Sequence, residues 1–389
     1  MIYIITTETF PNGLAATQRI KCYAKSIVAL GYPCKVLCLN RCEDPSNPLG
    51  NTQAKGKLDG YEYSYIGGST LIKKTWQNKI NQLADTFRLV LMMLFSFGKA
   101  DKVIVYSYNS TLLKLVEECS RIKGFNVYFE LNEHPSVLRS IFGVDGETTQ
   151  DLELIKRRLK GIEGTLCISD SLKDLLIRAG IPEEKTFVVN MLVDSSRFDG
   201  IVKQESEPYI GYCGAADNNK DGVDRLIKAF SQIANEYQDL KLYIMGPKRG
   251  DCENESLAKK LGIADRVVFT GMISPDKMPQ MLVNAKVLAL ARPQSIQAKY
   301  GFPTKLGEYL STGNPVVVTS VGDIPLFLKD GESAYLAEPD NIEAFARCLD
   351  RAISDKNAKT VGDNGRDVAK TWFCEERVKA QLKIALNLE

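Results

Sequence analysis

The segment YGFPTKLGEYLSTGNPVVV, residues 300–318, holds the residue types that bind phosphate at the start of a helix. Gly301 permits close backbone approach, and Pro303 suits a first helical turn, where its missing N–H costs nothing. The amides of Thr304, Lys305 and Leu306 are then expected to point outward, where free donors and the helix dipole attract an anion. Lys305 adds a full charge. Glu308 follows one turn later, placed to accept two hydroxyls of a ribose as acidic residues do in dinucleotide sites. Taken alone, the segment also reads as an ordinary helix start with a surface glutamate.

A second element precedes it: GYCGAADNNKDGVDRLIKAF, residues 211–230, where a strand ends in a Gly-rich polar loop that opens a helix. Lys220 projects from that loop at the carboxyl edge of the sheet, close to the expected position of Thr304 and Lys305. Two lysines and helix amides converging on one point suit a diphosphate with little need for metal. His134, the only histidine, stands in ELNEHP (130–135) after another strand. Asn132, Glu133 and His134 form a candidate acceptor-side cluster. A lone histidine is more often structural, and the sequence does not choose between Glu133 and His134.

Positioning these groups falls to alternating strands and helices. Apolar strands are expected over 2–6, 33–39, 61–66, 102–106, 126–131, 166–168 and 186–189, with helices such as 15–30 and 110–122 between them. A polar stretch at 194–208 reads as a linker. A second series follows, with strands at 209–213, 240–245, 267–270, 286–291 and 315–319 and helices at 222–234, 254–261, 275–283, 303–311 and 341–354. The expected organisation is an α/β chain of two doubly wound, Rossmann-like domains, over 1–195 and 205–370, facing a cleft. A helix over 371–389 straps back to the first. Open parallel sheets bind ligands at the carboxyl ends of their strands.

The pattern GFPTKLGEYLSTGNPVVVTSVGDIPLFLKDGESAYL, with KDGVDRLIKAF upstream and FTGMISPDKMPQML between, resembles the retaining GT-B glycosyltransferases of family 4. The resemblance runs from about 211 to 346; the first half matches more loosely, through NGLAATQRI and ELNEHP. It implies sugar transfer from a UDP- or GDP-sugar to a carbohydrate or polyprenyl-linked acceptor in cell-surface polysaccharide or glycolipid assembly. It makes Lys220, Thr304 and Lys305 diphosphate contacts and Glu308 the ribose acceptor, within the donor segment that also holds Gly301, Phe302 and Pro303. Gly271, Met272 and Ile273 would border the base, and Gly13 would line the donor phosphate. His134 stands where the family places a polar group beside the reacting carbon. Two positions depart from the pattern. The family's first glutamate, eight residues before Glu308, is Tyr300, and the arginine usual before the lysine loop is absent, with Arg292 a substitute. A nucleotide-sugar 2-epimerase or a non-catalytic sugar-nucleotide-binding protein on the same fold are the alternatives.

Composition bounds the rest. At 389 residues the chain exceeds one typical core, and its net charge of +2 gives no push toward nucleic acid. No G-x-G-x-x-G follows the first strand, no G-x-x-x-x-G-K-[ST] occurs, and no D-x-D pair offers a metal its carboxylates. No cofactor is expected. Cys34, Cys38 and Cys42 recur every fourth residue, but Cys34 and Cys38 read as small apolar side chains on one strand face. Met1 leads directly into an apolar strand, so cytoplasmic, reduced thiols are expected. The run LVLMMLFSF (89–97) is too short to span a bilayer. With Lys73, Lys74, Lys79 and Arg88 before it, it reads as a buried domain helix; a basic, partly apolar helix resting on the inner face of the plasma membrane is the alternative.

Overall fold

The computed structural model describes residues 1–46, 49–73, 75–247 and 253–389, apart from the side chain of Ser140. The chain divides into two units, Met1–Asn190 with Glu375–Glu389, and Met191–Cys374.

Short apolar strands joined through helices give each unit an open sheet. In the first, β1 (Ile2–Thr6), β2 (Cys34–Cys38), β3 (Lys55–Leu58), β4 (Tyr61–Tyr65), β5 (Lys102–Tyr106), β6 (Asn126–Leu131), β7 (Gly164–Cys167) and β8 (Thr186–Val188) lie in the order β3-β4-β2-β1-β5-β6-β7-β8. All pairings are parallel except β3 with β4. Chain order reverses on either side of β1, so the loops after β1 and β5 diverge there and open a crevice. Cys34 and Cys38 are buried in β2, and burial pushes the Cys34 thiol up to about 12, which keeps it protonated.

In the second unit, β9 (Tyr209–Cys213), β10 (Lys241–Met245), β11 (Val267–Gly271), β12 (Val287–Leu290), β13 (Val316–Thr319) and β14 (Tyr335–Ala337) form a parallel sheet in the order β11-β10-β9-β12-β13-β14. Here the order reverses between β9 and β12, so the loops after those two strands border the crevice.

Residues 194–208 are not a free linker. Asp194 caps a short 3-10 turn, Ser195–Phe198, and Phe198 is buried. The Lys203 ammonium donates to the Ala285 carbonyl at 2.8 Å and the Gln204 amide to Asn284 at 3.0 Å. The polar composition of this stretch hides its attachment to the second unit, and the chain passes between units at Asn190 and Met191. The last helix, Glu375–Ala385, packs in the first unit against the helix Ala15–Ala29, with Lys25 and Glu375 3.0 Å apart.

The run 89–97 is not a buried helix. Residues 89–96 are the second half of a 22-residue helix, Thr75–Ser96, whose buried residues are Asp85, Leu89 and Met93 alone; Phe97, just beyond it, is buried against Tyr3. Apolar composition revealed the helix but not the direction its faces take. Lys73 precedes it and is exposed; Lys74 lies outside the described residues.

Candidate functional site

In the second unit, Gly214, Lys220 and Asp221 follow β9, and Arg292 follows β12. The helix Thr304–Ser311 starts beside them. Pro303 is the cap residue itself (φ −76°, ψ 104°) rather than the first helical residue, and no side chain caps the helix. The Leu306 amide donates to the Pro303 carbonyl at 3.0 Å, so it is not one of the outward donors expected from the sequence. Thr304 and Lys305 are the first two residues of the helix, where amides have no partner within the helix.

Lys305 turns back onto the end of β9. Its ammonium lies 2.5 Å from Asp221 Oδ2, 3.1 Å from the Tyr212 hydroxyl and 4.6 Å from the centre of the Tyr212 ring. Tyr212 in turn donates to Asp221 at 2.8 Å. Burial lowers the Lys305 pKa, and Asp221 only partly restores it. Burial raises the Asp221 carboxyl, but Lys305, the Tyr212 hydroxyl and Arg292 outweigh it and hold it below its ordinary value. Arg292, 2% exposed, donates from Nε to the Lys220 carbonyl at 3.3 Å, so this buried guanidinium holds the backbone of the Lys220 loop. Asp217 accepts the amides of Asn219 and Lys220 at 2.9 Å and closes that loop into a turn, leaving Lys220 exposed.

Two glycines make this close approach possible. At Gly214 (φ +146°) a Cβ would lie 2.3 Å from the Lys305 ammonium. At Gly222 (φ +68°) it would lie 1.9 Å from the Ala291 carbonyl oxygen.

Glu308, one turn after Thr304, is engaged by Arg197, with Nη1 2.5 Å from Oε1, while Nη2 donates to the Pro275 carbonyl at 3.2 Å. Gly271 ends β11 at φ +70°, Met272 is exposed and Ile273 is half-buried. Tyr300, by contrast, is buried, and Phe302 packs edge-on against Phe327 and tilted against Phe373, both 5.4–5.5 Å away. Gly301, between Tyr300 and Phe302, is buried as well. The structure therefore brings Lys220, Arg292, Thr304, Lys305 and Glu308 together with Gly271 to Ile273 on one unit, and places Tyr300 and Phe302 in the core.

In the first unit, Gly13 follows β1, where a Cβ would lie 2.2 Å from the Thr17 hydroxyl; that hydroxyl donates to the Thr9 carbonyl at 2.7 Å. Thr7 and Ser107 hydroxyls, 2.8 Å apart, join the loops after β1 and β5. After β6, Asn132 donates to the Tyr106 hydroxyl at 2.9 Å and accepts from Tyr108 at 3.1 Å. His134 is fully buried. Its Nδ1 accepts the Ser136 amide at 3.1 Å and lies 2.7 Å from the Ser136 hydroxyl. A backbone N–H can only donate, so the neutral ring carries its proton on Nε2. Glu133, half-buried, is next to it.

Three groups are not visible in the sequence. Asp221 and Arg197 had no visible partner, because a separation of 84 or 111 residues says nothing of pairing. Arg19 forms a buried ion pair with Glu130 at 2.6 Å and donates to the carbonyls of Val189 (2.7 Å) and Asn190 (3.0 Å), fixing the end of the unit's first chain segment. Among the described residues no three His, Cys, Asp or Glu side chains gather as a metal site.

Residues 207–355 match the model of the family described as Glycosyl transferases group 1. An uncharacterized glycosyltransferase of Methanocaldococcus jannaschii is 28% identical over 244 residues, 57% of this chain and 60% of that protein. A putative colanic acid biosynthesis glycosyltransferase of Salmonella typhimurium is 26% identical over 226 residues, 57% of this chain and 56% of the relative. The matched stretches thus span no more than 60% of these relatives. In fold, the chain is similar over its full length to an Anabaena protein, HepE, in complex with UDP and glucose, with a TM-score of 0.71, 16% identity and coverage of 100% and 99%. Over residues 207–355 the chain is thus similar to the glycosyl transferases group 1 family, and its two sheets have the α/β fold of the GT-B type.

Proposed function

We propose that this protein is a retaining, metal-independent glycosyltransferase that moves a sugar from a UDP- or GDP-sugar to a carbohydrate or lipid-linked acceptor. The observation that carries the reading is the net positive cluster of Lys305, Arg292, Asp221 and Lys220 at the strand-order reversal, with Glu308 one turn along the uncapped helix. A diphosphate seated on the amides of Thr304 and Lys305 meets the Lys305 and Lys220 charges, and its ribose reaches Glu308. Gly271, Met272 and Ile273 then border the base.

In the transfer, the bond between the anomeric carbon and the diphosphate oxygen breaks, and its electron pair leaves with the diphosphate. The acceptor oxygen bonds to that carbon on the same face, and its proton passes to the departing phosphate. Charge grows on the leaving group, so fixed cations and helix amides lower the barrier directly. Glu133 or His134 would act on the sugar and acceptor side. The similarity to a protein holding UDP and glucose makes UDP the first donor to test, and the colanic acid relative favours a polysaccharide or glycolipid acceptor.

The test is a thermal-shift panel of UDP, GDP, ADP and their sugars, followed by label transfer from the stabilising donor. A ligand at 100 times its dissociation constant adds about 2.7 kcal/mol of stability. No shift with any nucleoside diphosphate at millimolar concentration would sink the reading.

A further inference from the structure

The helix Thr75–Ser96 turns an apolar face to solvent. Trp76, Ile80, Leu83, Phe87 and Leu91 are between 37% and 74% exposed. Their spacing of four, three, four and four residues holds them within about 80° of one another around the helix. Asp85, Leu89 and Met93, the residues that anchor it to the unit, occupy the opposite side. At about 1.5 Å per residue the helix is roughly 33 Å long, and Leu71 and Ile72, also exposed, precede it. A contiguous apolar strip of this size marks a surface built to be covered.

Charge decides by what. Asp85, the only acidic residue of the helix, is buried and held by Arg41 at 3.3 Å and Arg88 at 2.8 Å. Among the described residues from 71 to 99, the exposed charges are Lys73, Lys79, Arg88 and Lys99, all positive. A second copy laid against this face would oppose like charges, which disfavours pairing. An anionic bilayer supplies both complements at once: apolar depth for the stripe and negative headgroups for the flanking cations. No helix among the described residues is long and apolar enough to cross a membrane, so this one would lie in the interface plane.

We propose that the face formed by Trp76, Ile80, Leu83, Phe87 and Leu91 docks the protein on an anionic lipid bilayer, with Lys73, Lys79 and Arg88 at the headgroups. The proposal uses nothing of the donor site, and its test uses no sugar, so the two readings fail separately. The full chain is floated with vesicles of phosphatidylcholine alone or with about a third phosphatidylglycerol. Wild type should float with the anionic vesicles, and added salt should release it. Leu83→Asn with Phe87→Asn should cut binding at least about tenfold, as should Lys73→Glu with Lys79→Glu. Circular dichroism verifies the fold of each variant, and Leu83→Asn alone replaces the double variant if that does not fold. The proposal falls if wild type ignores anionic vesicles, if it binds neutral ones equally, or if the asparagine variant binds like wild type. A dimer that dissolves on the asparagine substitutions would assign the face to a second copy and overturn it as well.

Discussion

Arg197 grips Glu308: the guanidinium Nη1 lies 2.5 Å from Oε1, and its Nη2 ties the same arm to the Pro275 carbonyl, just past Gly271 to Ile273. Arg197 therefore links the carboxylate proposed to hold the ribose with the loop proposed to border the base. One oxygen of Glu308 is fixed by the arginine, which aims the other.

This pairing predicts a graded result. Glu308→Ala should weaken a nucleoside diphosphate and its sugar alike, because the ribose is common to both. Two lost charge-assisted hydrogen bonds cost about 3 kcal/mol or more. Arg197→Ala should cost less, and nothing further once Glu308 is alanine, if it acts only through the carboxylate. Titration calorimetry on the four proteins of the cycle reads this. Full additivity would refute the positioning role, and unchanged affinity in a folded Glu308→Ala would refute the ribose contact.

The Lys305–Asp221 pair sets an acid-side stability limit. Burial raises the Asp221 carboxyl, but Lys305 beside it outweighs this, so the folded pKa lies below the ordinary 3.8. A lowered carboxylate stabilises above its unfolded pKa, and that contribution is lost as pH falls through the folded value. Asp221→Asn should remove this part of the acid limb and cost on the order of 3 kcal/mol at neutral pH, because Lys305 keeps a mostly buried charge without its counterion. Lys305, already lowered by burial, should drop further, so the variant regains stability as pH rises through that new value. Melting temperatures of both proteins across pH 2–10 test this; parallel curves would contradict it.

How far the sequence reached follows from what periodicity encodes. β5 and β6 lie where the apolar runs 102–106 and 126–131 placed them, because buried parallel strands are nearly continuous in Val, Ile and aromatic residues. β3, with the sequence KGKL, is a half-exposed edge strand with no such run, and β14 is three residues long; neither is legible. Lys220, Thr304, Lys305 and Glu308 were readable because the loop and helix start that carry them are local patterns. Asp221, Arg197 and the Arg19–Glu130 pair were not, since they act through contacts made only by the folded sheet. The helix over 75–96 shows the same limit: its run of apolar residues gives composition, while the three buried anchors fix which face turns outward.

His134 separates a chemical from a structural histidine. Its Nδ1 is held by Ser136, which places the proton on Nε2. If that N–H serves the sugar or acceptor side, His134→Ala should lower turnover at least tenfold and leave free nucleoside diphosphate affinity unchanged. Ser136→Ala should lower turnover less, by loosening the ring. A variant with a reduced melting temperature and wild-type turnover would make the histidine a packing residue.

The last prediction is that transfer proceeds without divalent metal and leans on Lys220. The departing diphosphate must have its charge met either by a cation or by fixed donors. Here Arg292, buried and bonded to the Lys220 carbonyl, holds the loop in place, and Asp217 closes it, so the exposed lysine is presented from a braced turn. Such a donor is organised before the reaction begins, and removing one typically costs about 10²–10³ in rate. Lys220→Ala should therefore lose turnover on that scale while keeping its melting temperature, since a side chain on an exposed loop carries little packing. Lys220→Arg should recover part of the loss by restoring the charge with a different shape. Wild-type enzyme should stay active in EDTA. If EDTA abolishes transfer and Mn²⁺ or Mg²⁺ restores it, the metal does the work assigned to the lysines, and both the site and the mechanism must be redrawn.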